Sequence, residues 1–153
     1  MGFSPETFRR YMQRAGFSAE DVADQIGLSR QSVSLWLAGR TTPSPPSLVR
    51  VAELLRVTPA DLTPGISRRP ATLPDIRIRA GHTQSAAAEA VGISQTVLSQ
   101  IERGRREMDQ AVADKLARLY EVSDADVVEA WELGIARRRD DLAARAARRT
   151  RGH

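Results

Sequence analysis

Two stretches decide the fold: RAGFSAEDVADQIGLSRQSVSLWLAGR at residues 14–40 and RAGHTQSAAAEAVGISQTVLSQIERGR at residues 79–105. They align without a gap at an offset of 65 positions. Arg14, Ala15, Gly16, Ala23, Gly27, Ser29, Ser34, Gly39 and Arg40 fall on Arg79, Ala80, Gly81, Ala88, Gly92, Ser94, Ser99, Gly104 and Arg105. Apolar positions match in kind: Ile26 with Val91, Leu28 with Ile93, Val33 with Leu98. Self-similarity at a fixed period means one structural unit used twice. The 153 residues therefore divide into two units of about 60 residues, a size that is marginal but can fold alone.

Each unit reads as five short helices. In the first, Ser4-Pro5 opens helix 1 and Gly16 ends it. Ser18 and Asp21 form a capping pair for helix 2, whose inward face carries Val22, Ala23 and Ile26. Gly27-Leu28 makes a tight turn, and Ser29 caps helix 3, which stops at Gly39. Ser44-Pro45 opens helix 4, with Leu48, Val51, Ala52 and Leu55 at helical spacing. Thr58 and Asp61 cap a short helix 5 that includes Leu62. In the second unit Pro74 starts helix 1, Thr83 caps helix 2, Ser94 caps helix 3, Asp109 caps helix 4 with Val112, Leu116 and Leu119 inward, and Ser123 with Asp126 opens helix 5. No proline stops that last helix, so it is free to run through Gly134 into the tail, where glycine costs about 1 kcal/mol relative to alanine. Three prolines and a glycine across residues 63–74 argue against helix in the linker. No strand pattern is present. The class is all-α: residues 1–63 and 73–136 form tandem five-helix domains, 64–72 a Pro/Arg linker, and 137–153 an Arg-rich tail.

The net charge is +4, and 22 of the 23 basic residues are arginine. Its distribution says more than its sum: +1 over residues 1–66, +2 over 67–74 from Arg68 and Arg69, −4 over 75–136 and +5 over 137–153. An arginine excess suits phosphate contacts. There are no cysteines, which fits a reducing cytoplasm. No apolar run approaches the roughly 20 residues of a membrane helix, and no leader pattern opens the chain. The expectation is a cytoplasmic protein with no membrane partner.

Helix 3 of each unit divides by its 3.6-residue period. In the first, Val33, Trp36 and Leu37 point inward, and Arg30, Gln31, Ser34 and Leu35 outward. In the second, Leu98 and Ile101 point inward, and Gln95, Thr96, Ser99 and Gln100 outward. These outward faces carry no carboxylate to repel phosphate, and their polar side chains donate and accept as base edges require.

Both units resemble the lambda-repressor-like (Xre-type) helix-turn-helix family, over about residues 5–63 and 73–133. The second copy carries the likeness best, in Arg79-Ala80-Gly81-His82-Thr83-Gln84, Val91-Gly92-Ile93-Ser94-Gln95 and Ser99-Gln100-Ile101-Glu102-Arg103-Gly104. The resemblance implies that Gln84, opening helix 2, contacts phosphate and braces Gln95, which reads adenine, with Thr96 and Gln100 at the other reading positions. The first copy departs: Ala19 and Arg30 replace the two glutamines. Arginine there suits the O6/N7 edge of guanine, and Leu35 suits a thymine methyl. Unlike half-sites are expected. The family's pairing of an Arg in helix 1 with a Glu in helix 3 falls on Arg77 and Glu102, which become Met12 and Leu37 in the first copy. An ion pair is replaced there by an apolar pair, as burial of an unpaired charge would require. Arg77 and Glu102 are thus expected to serve folding. Ser29, Arg40 and Thr41 in the first copy, and Gln84, Ser94, Arg103, Arg105 and Arg106 in the second, are the expected phosphate contacts, which position without specifying.

The tail admits three readings: a solvated helix, an arm on neighbouring phosphates, or a helical dimer contact. Trp36 fits the first core; Trp131 fits either the second core or a dimer contact. His82 and His153 lack metal-ligand spacing, and no phosphate-binding glycine loop or nucleophile elbow is present. No enzyme, cofactor, metal or small-molecule ligand is expected, and two units plus a tail leave no stretch for an effector domain. From Leu62 to Leu73 the chain, if extended, reaches at most roughly 36–40 Å, against about 34–36 Å between half-sites on one face of a duplex. The sequence thus points to a double-stranded-DNA-binding regulator. The competing assignment is a protein-interaction module of antitoxin or coactivator type, in which only the first unit touches DNA and the second binds a partner or a second copy. A homodimer or protein partner stays open.

Overall fold

The computed structural model describes residues 2–67 and 70–152. Arg68, Arg69 and His153 lie outside the described residues. All secondary structure described is helical: α1 (Pro5–Ala15), α2 (Ala19–Ile26), α3 (Arg30–Leu37), α4 (Pro45–Leu55), α5 (Pro59–Leu62), α6 (Pro64–Ser67), α7 (Leu73–Arg79), α8 (Gln84–Val91), α9 (Gln95–Glu102), α10 (Gln110–Tyr120) and α11 (Asp124–Arg151). Compactness groups Met1–Ala71 with Arg77–Thr83, and Thr72–Ile76 with Gln84–His153.

Local chemistry sets the helix starts. The Ser18 hydroxyl accepts from the Asp21 amide (3.1 Å), and the Asp21 carboxylate accepts from the Ser18 amide (2.8 Å). These bonds, the backbone one foremost, hold the Asp21 carboxyl below the usual carboxylate range. Thr58 with Asp61 and Ser123 with Asp126 build the same reciprocal cap. Thr72 and Asp75 also exchange amide bonds, at 2.9 and 3.4 Å. The start of α7 is therefore set one residue before Pro74, by a cap that proline alone did not reveal.

The 65-residue register extends well beyond the quoted stretches. In the first core Phe8, Val22, Val33, Leu48, Val51 and Leu62 are fully buried. Their counterparts 65 positions on, Leu73, Ala87, Leu98, Ala113, Leu116 and Val127, are buried too. Even the backbone repeats: Arg56 and Glu121, after α4 and α10, both take left-handed conformations (φ 57° and 56°). The second core uses mostly smaller side chains, with Ile101 where the first has Trp36. Tyr120 offsets part of this by standing at the position of Leu55.

Three expectations are corrected. Residues 64–67 form one helical turn, because Pro64 at a helix start has no amide to lose and a φ already suited to helix. The linker is therefore shorter than the extended-chain reach assumes. The inward face of α10 is Ala113, Leu116, Ala117 and Tyr120, whereas Val112 and Leu119 are half-buried. Gly134 is not simply a weak helix residue. A Cβ on Gly104 would lie 2.8 Å from Gly134 O and Ile135 Cα, and one on Gly134 would lie 3.3 Å from Glu102 O. The two glycines let the backbone of α11 press against the turn that follows α9. Beyond Ala136 every described residue of α11 is exposed.

Candidate nucleic-acid interface

In the first unit α2 and α3 form the helix-turn-helix pair. Gly27 makes the turn at φ 72°, and the Ser29 hydroxyl accepts from the Ser32 amide at 3.1 Å to start α3. Val33 and Trp36 anchor α3 in the core, where Trp36 packs on Phe8 with ring centroids 6.3 Å apart. Arg30, Gln31 and Ser34 are exposed on the opposite face. Leu35 and Leu37 are both half-buried, so the outward apolar position is partly covered. The Leu35 carbonyl accepts from the Arg40 amide (3.0 Å) and the Thr41 amide (3.4 Å), which holds both exposed residues at the end of α3.

Two arginines that the sequence reading did not single out finish these helices. Arg50 donates to Ile26 O (3.1 Å) at the end of α2, and Arg9 donates to Leu37 O (3.3 Å) at the end of α3. A cation over the last carbonyls satisfies orphan acceptors and complements the helix dipole. No local pattern finds them, since their partners lie 24 and 28 residues away.

The second unit presents the same geometry with a polar network added. Ser94 starts α9 by accepting from the Val97 amide (3.1 Å), and Leu98 and Ile101 are buried beneath it. Gln95 and Thr96 are exposed; Ser99 and Gln100 are half-buried at the face. Buried Glu102 accepts from Gln84 Nε2 at 2.9 Å, and Gln84 Oε1 faces Gln95 Nε2 at 3.5 Å. A chain of contacts thus runs from the floor of the unit to its surface. Separately, Arg106 Nη1 donates to Gln100 Oε1 (3.2 Å), and Trp131 Nε1 donates to the Arg106 carbonyl (3.2 Å). Trp131 on α11 therefore fixes the turn bearing Arg103, Arg105 and Arg106. Arg77 is buried and donates to His82 O (3.1 Å). Neither polar link has an equivalent in the first unit, where Ala19, Arg30, Leu35 and Leu37 occupy the corresponding positions.

The helix-turn-helix domain family matches twice, over residues 6–64 and 71–131, together well over half of the chain. The chain belongs to the helix-turn-helix domain family. No curated protein and no solved structure matches it. As a tandem helix-turn-helix protein it is a DNA-binding protein of Xre-like type, and the all-α architecture agrees with that membership. Among the described residues, no helix is long and apolar enough to cross a membrane.

Proposed function

We propose that this helix-turn-helix protein is a transcriptional regulator that binds double-stranded DNA sequence-specifically, with α3 and α9 reading unlike half-sites. The observation that carries the proposal is the difference between the two exposed faces. One presents a free-standing arginine, Arg30, and the other presents glutamines held by their neighbours.

In α9, Gln95 directs one amide hydrogen toward Gln84 and keeps its carbonyl and second hydrogen for a base edge. That donor–acceptor pair matches adenine N6 and N7. Gln100 has its carbonyl occupied by Arg106 and so offers donors, which suits acceptor edges such as guanine O6/N7 or thymine O4. Thr96 and Ser99 complete that face. In α3, Arg30 suits guanine, Gln31 and Ser34 flank it, and the exposed part of Leu35 meets a thymine methyl. Ser29, Arg40 and Thr41, with Gln84, Ser94, Arg103, Arg105 and Arg106, position the units on phosphates. We assign Arg77 and Glu102 to folding.

The test is selection of the full chain against a randomised duplex long enough for two half-sites a helical turn apart, at near-physiological salt. A motif with two unlike halves is expected. Arg30→Ala with Gln31→Ala should erase one half, and Gln95→Ala with Gln100→Ala the other. A motif with two-fold symmetry would refute unlike reading. A single half-site, indifferent to the α9 changes, would make the second unit an interaction module.

A further inference from the structure

Within the second unit, a cleft of roughly 330 Å³ opens between the turn after α9 and the exposed part of α11. Arg103 and Arg105 line it from the turn; Arg137, Arg138 and Arg145 line it from the helix. All five are exposed. Among the described residues none of the five guanidinium groups has a hydrogen-bond or ion-pair partner in the protein. Two carboxylates also line the cleft. Glu102 is already engaged by Gln84. Asp141 lies one helical turn from Arg137, Arg138 and Arg145. The balance is five positive groups against two negative.

We propose that this cleft is a phosphate-binding site that takes backbone phosphodiesters of the DNA flanking the half-site under α9. The inference rests on the proposed reading of that half-site. Three observations favour duplex DNA as the source of the phosphates. The turn that supplies Arg103 and Arg105 leaves α9 directly, so it adjoins the reading face. Arg137 and Arg145 lie eight residues apart on α11, about 12 Å at 1.5 Å per residue, which is the axial span of about three phosphates on one strand. Finally, the last turns of α11 bring like charges together. Arg145 stands three and four residues from Arg148 and Arg149, and like charges at those spacings destabilise a helix. A row of phosphates removes that repulsion, and guanidinium forks match phosphate oxygens two at a time.

The turn and the helix act as one surface because Trp131 holds the Arg106 carbonyl and Gly104 meets Gly134. The duplex would thus be gripped by α9 in the groove and by α11 on the adjoining backbone. Such a contact adds affinity without sequence preference.

The experiment compares the full chain with Arg137→Ala/Arg138→Ala/Arg145→Ala and, separately, Asp141→Asn. Each is titrated with two duplexes. One ends at the outer edge of the α9 half-site, and the other extends about one further helical turn of arbitrary sequence. Circular dichroism and thermal unfolding check that the variants fold, as they should with every changed residue exposed. On the longer duplex the triple variant should bind on the order of tenfold more weakly and lose about 2 to 3 from the slope of log affinity against log salt. Asp141→Asn should bind more tightly. On the trimmed duplex all three proteins should bind alike. Equal affinities and slopes on both duplexes would overturn the proposal. So would calorimetric binding of pyrophosphate to the DNA-free protein, lost in the triple variant, with duplex affinity unchanged; the phosphate would then come from a free ligand. If no motif is selected but the salt-slope difference persists on arbitrary duplex, the base-reading proposal fails and the cleft stands. If a motif is selected and the slopes agree, the reverse holds.

Discussion

Gly39 and Gly104 occupy the same place in the repeat, yet replacing each with alanine should have unequal consequences. Both are left-handed, at φ 72° and 69°. An L-residue in that conformation costs roughly 1–2 kcal/mol, so both variants carry that penalty. At Gly39 the new Cβ meets only Pro5 Cγ, at 3.8 Å, an ordinary contact. At Gly104 it lies 2.8 Å from the carbonyl oxygen of Gly134 and the Cα of Ile135. Those are helix backbone atoms and cannot rotate away, so α11 or the turn must shift. Overpacking of that kind adds about 1–3 kcal/mol. The expected totals are about 1–2 kcal/mol for Gly39→Ala and about 2–5 kcal/mol for Gly104→Ala. Urea unfolding measures the sum. The tryptophans localise it, because Trp36 sits in the first core and Trp131 donates to the Arg106 carbonyl. The indole N–H resonance of Trp131 should move in Gly104→Ala while that of Trp36 stays. Equal losses for the two variants, with an unmoved Trp131 resonance, would refute the close approach of α11.

Four further outcomes follow from the same structure. Arg106→Ala releases the Gln100 carbonyl, so discrimination at one base of the α9 half-site should fall by about 1–3 kcal/mol, read as relaxed preference in a binding selection. Leu98→Ala leaves a cavity in a fully buried position and should cost about 2–5 kcal/mol in denaturant unfolding. Arg56→Gly and Glu121→Gly remove left-handed strain and should each stabilise by roughly 0.5–1 kcal/mol. Asp21→Asn should lower the midpoint of thermal unfolding at neutral pH. Because the folded-state pKa of Asp21 is depressed, its contribution is present above the unfolded value and is lost as pH falls through the folded one. The gap between wild type and variant should therefore close in acid, and a gap that widened there would contradict the cap.

What the sequence made legible was whatever is written in local chemistry. The repeat, the serine caps that open α2, α3 and α9, the turn glycines and the inward Val33 and Trp36 all depend on residues a few positions apart, and the structure shows them where the pattern put them. The departures are tertiary. Tyr120 is buried because the second core is built from smaller residues and has room for a ring. Arg9 and Arg50 cap helices distant in sequence. Gly134 reads as a helix weakness until Gly104 is set beside it. Leu35 is phased outward yet half-buried. At the interface, sequence named the residues of the two outward faces, of which Leu35, Ser99 and Gln100 are half-buried, but it did not reveal that Arg106 orients Gln100 or that α11 holds the turn.

The unequal faces of α3 and α9 also bear on how such a reader changes over time. A homodimeric repressor carries every substitution twice, so a new preference must be met by both halves of its operator at once. Here Arg30 and Gln95 are encoded separately within one chain. Under the proposed function, a mutation at either site would alter one half of the recognised sequence and leave the other as an anchor. Operator and protein are then free to drift together in single steps, each buffered by the half that has not moved.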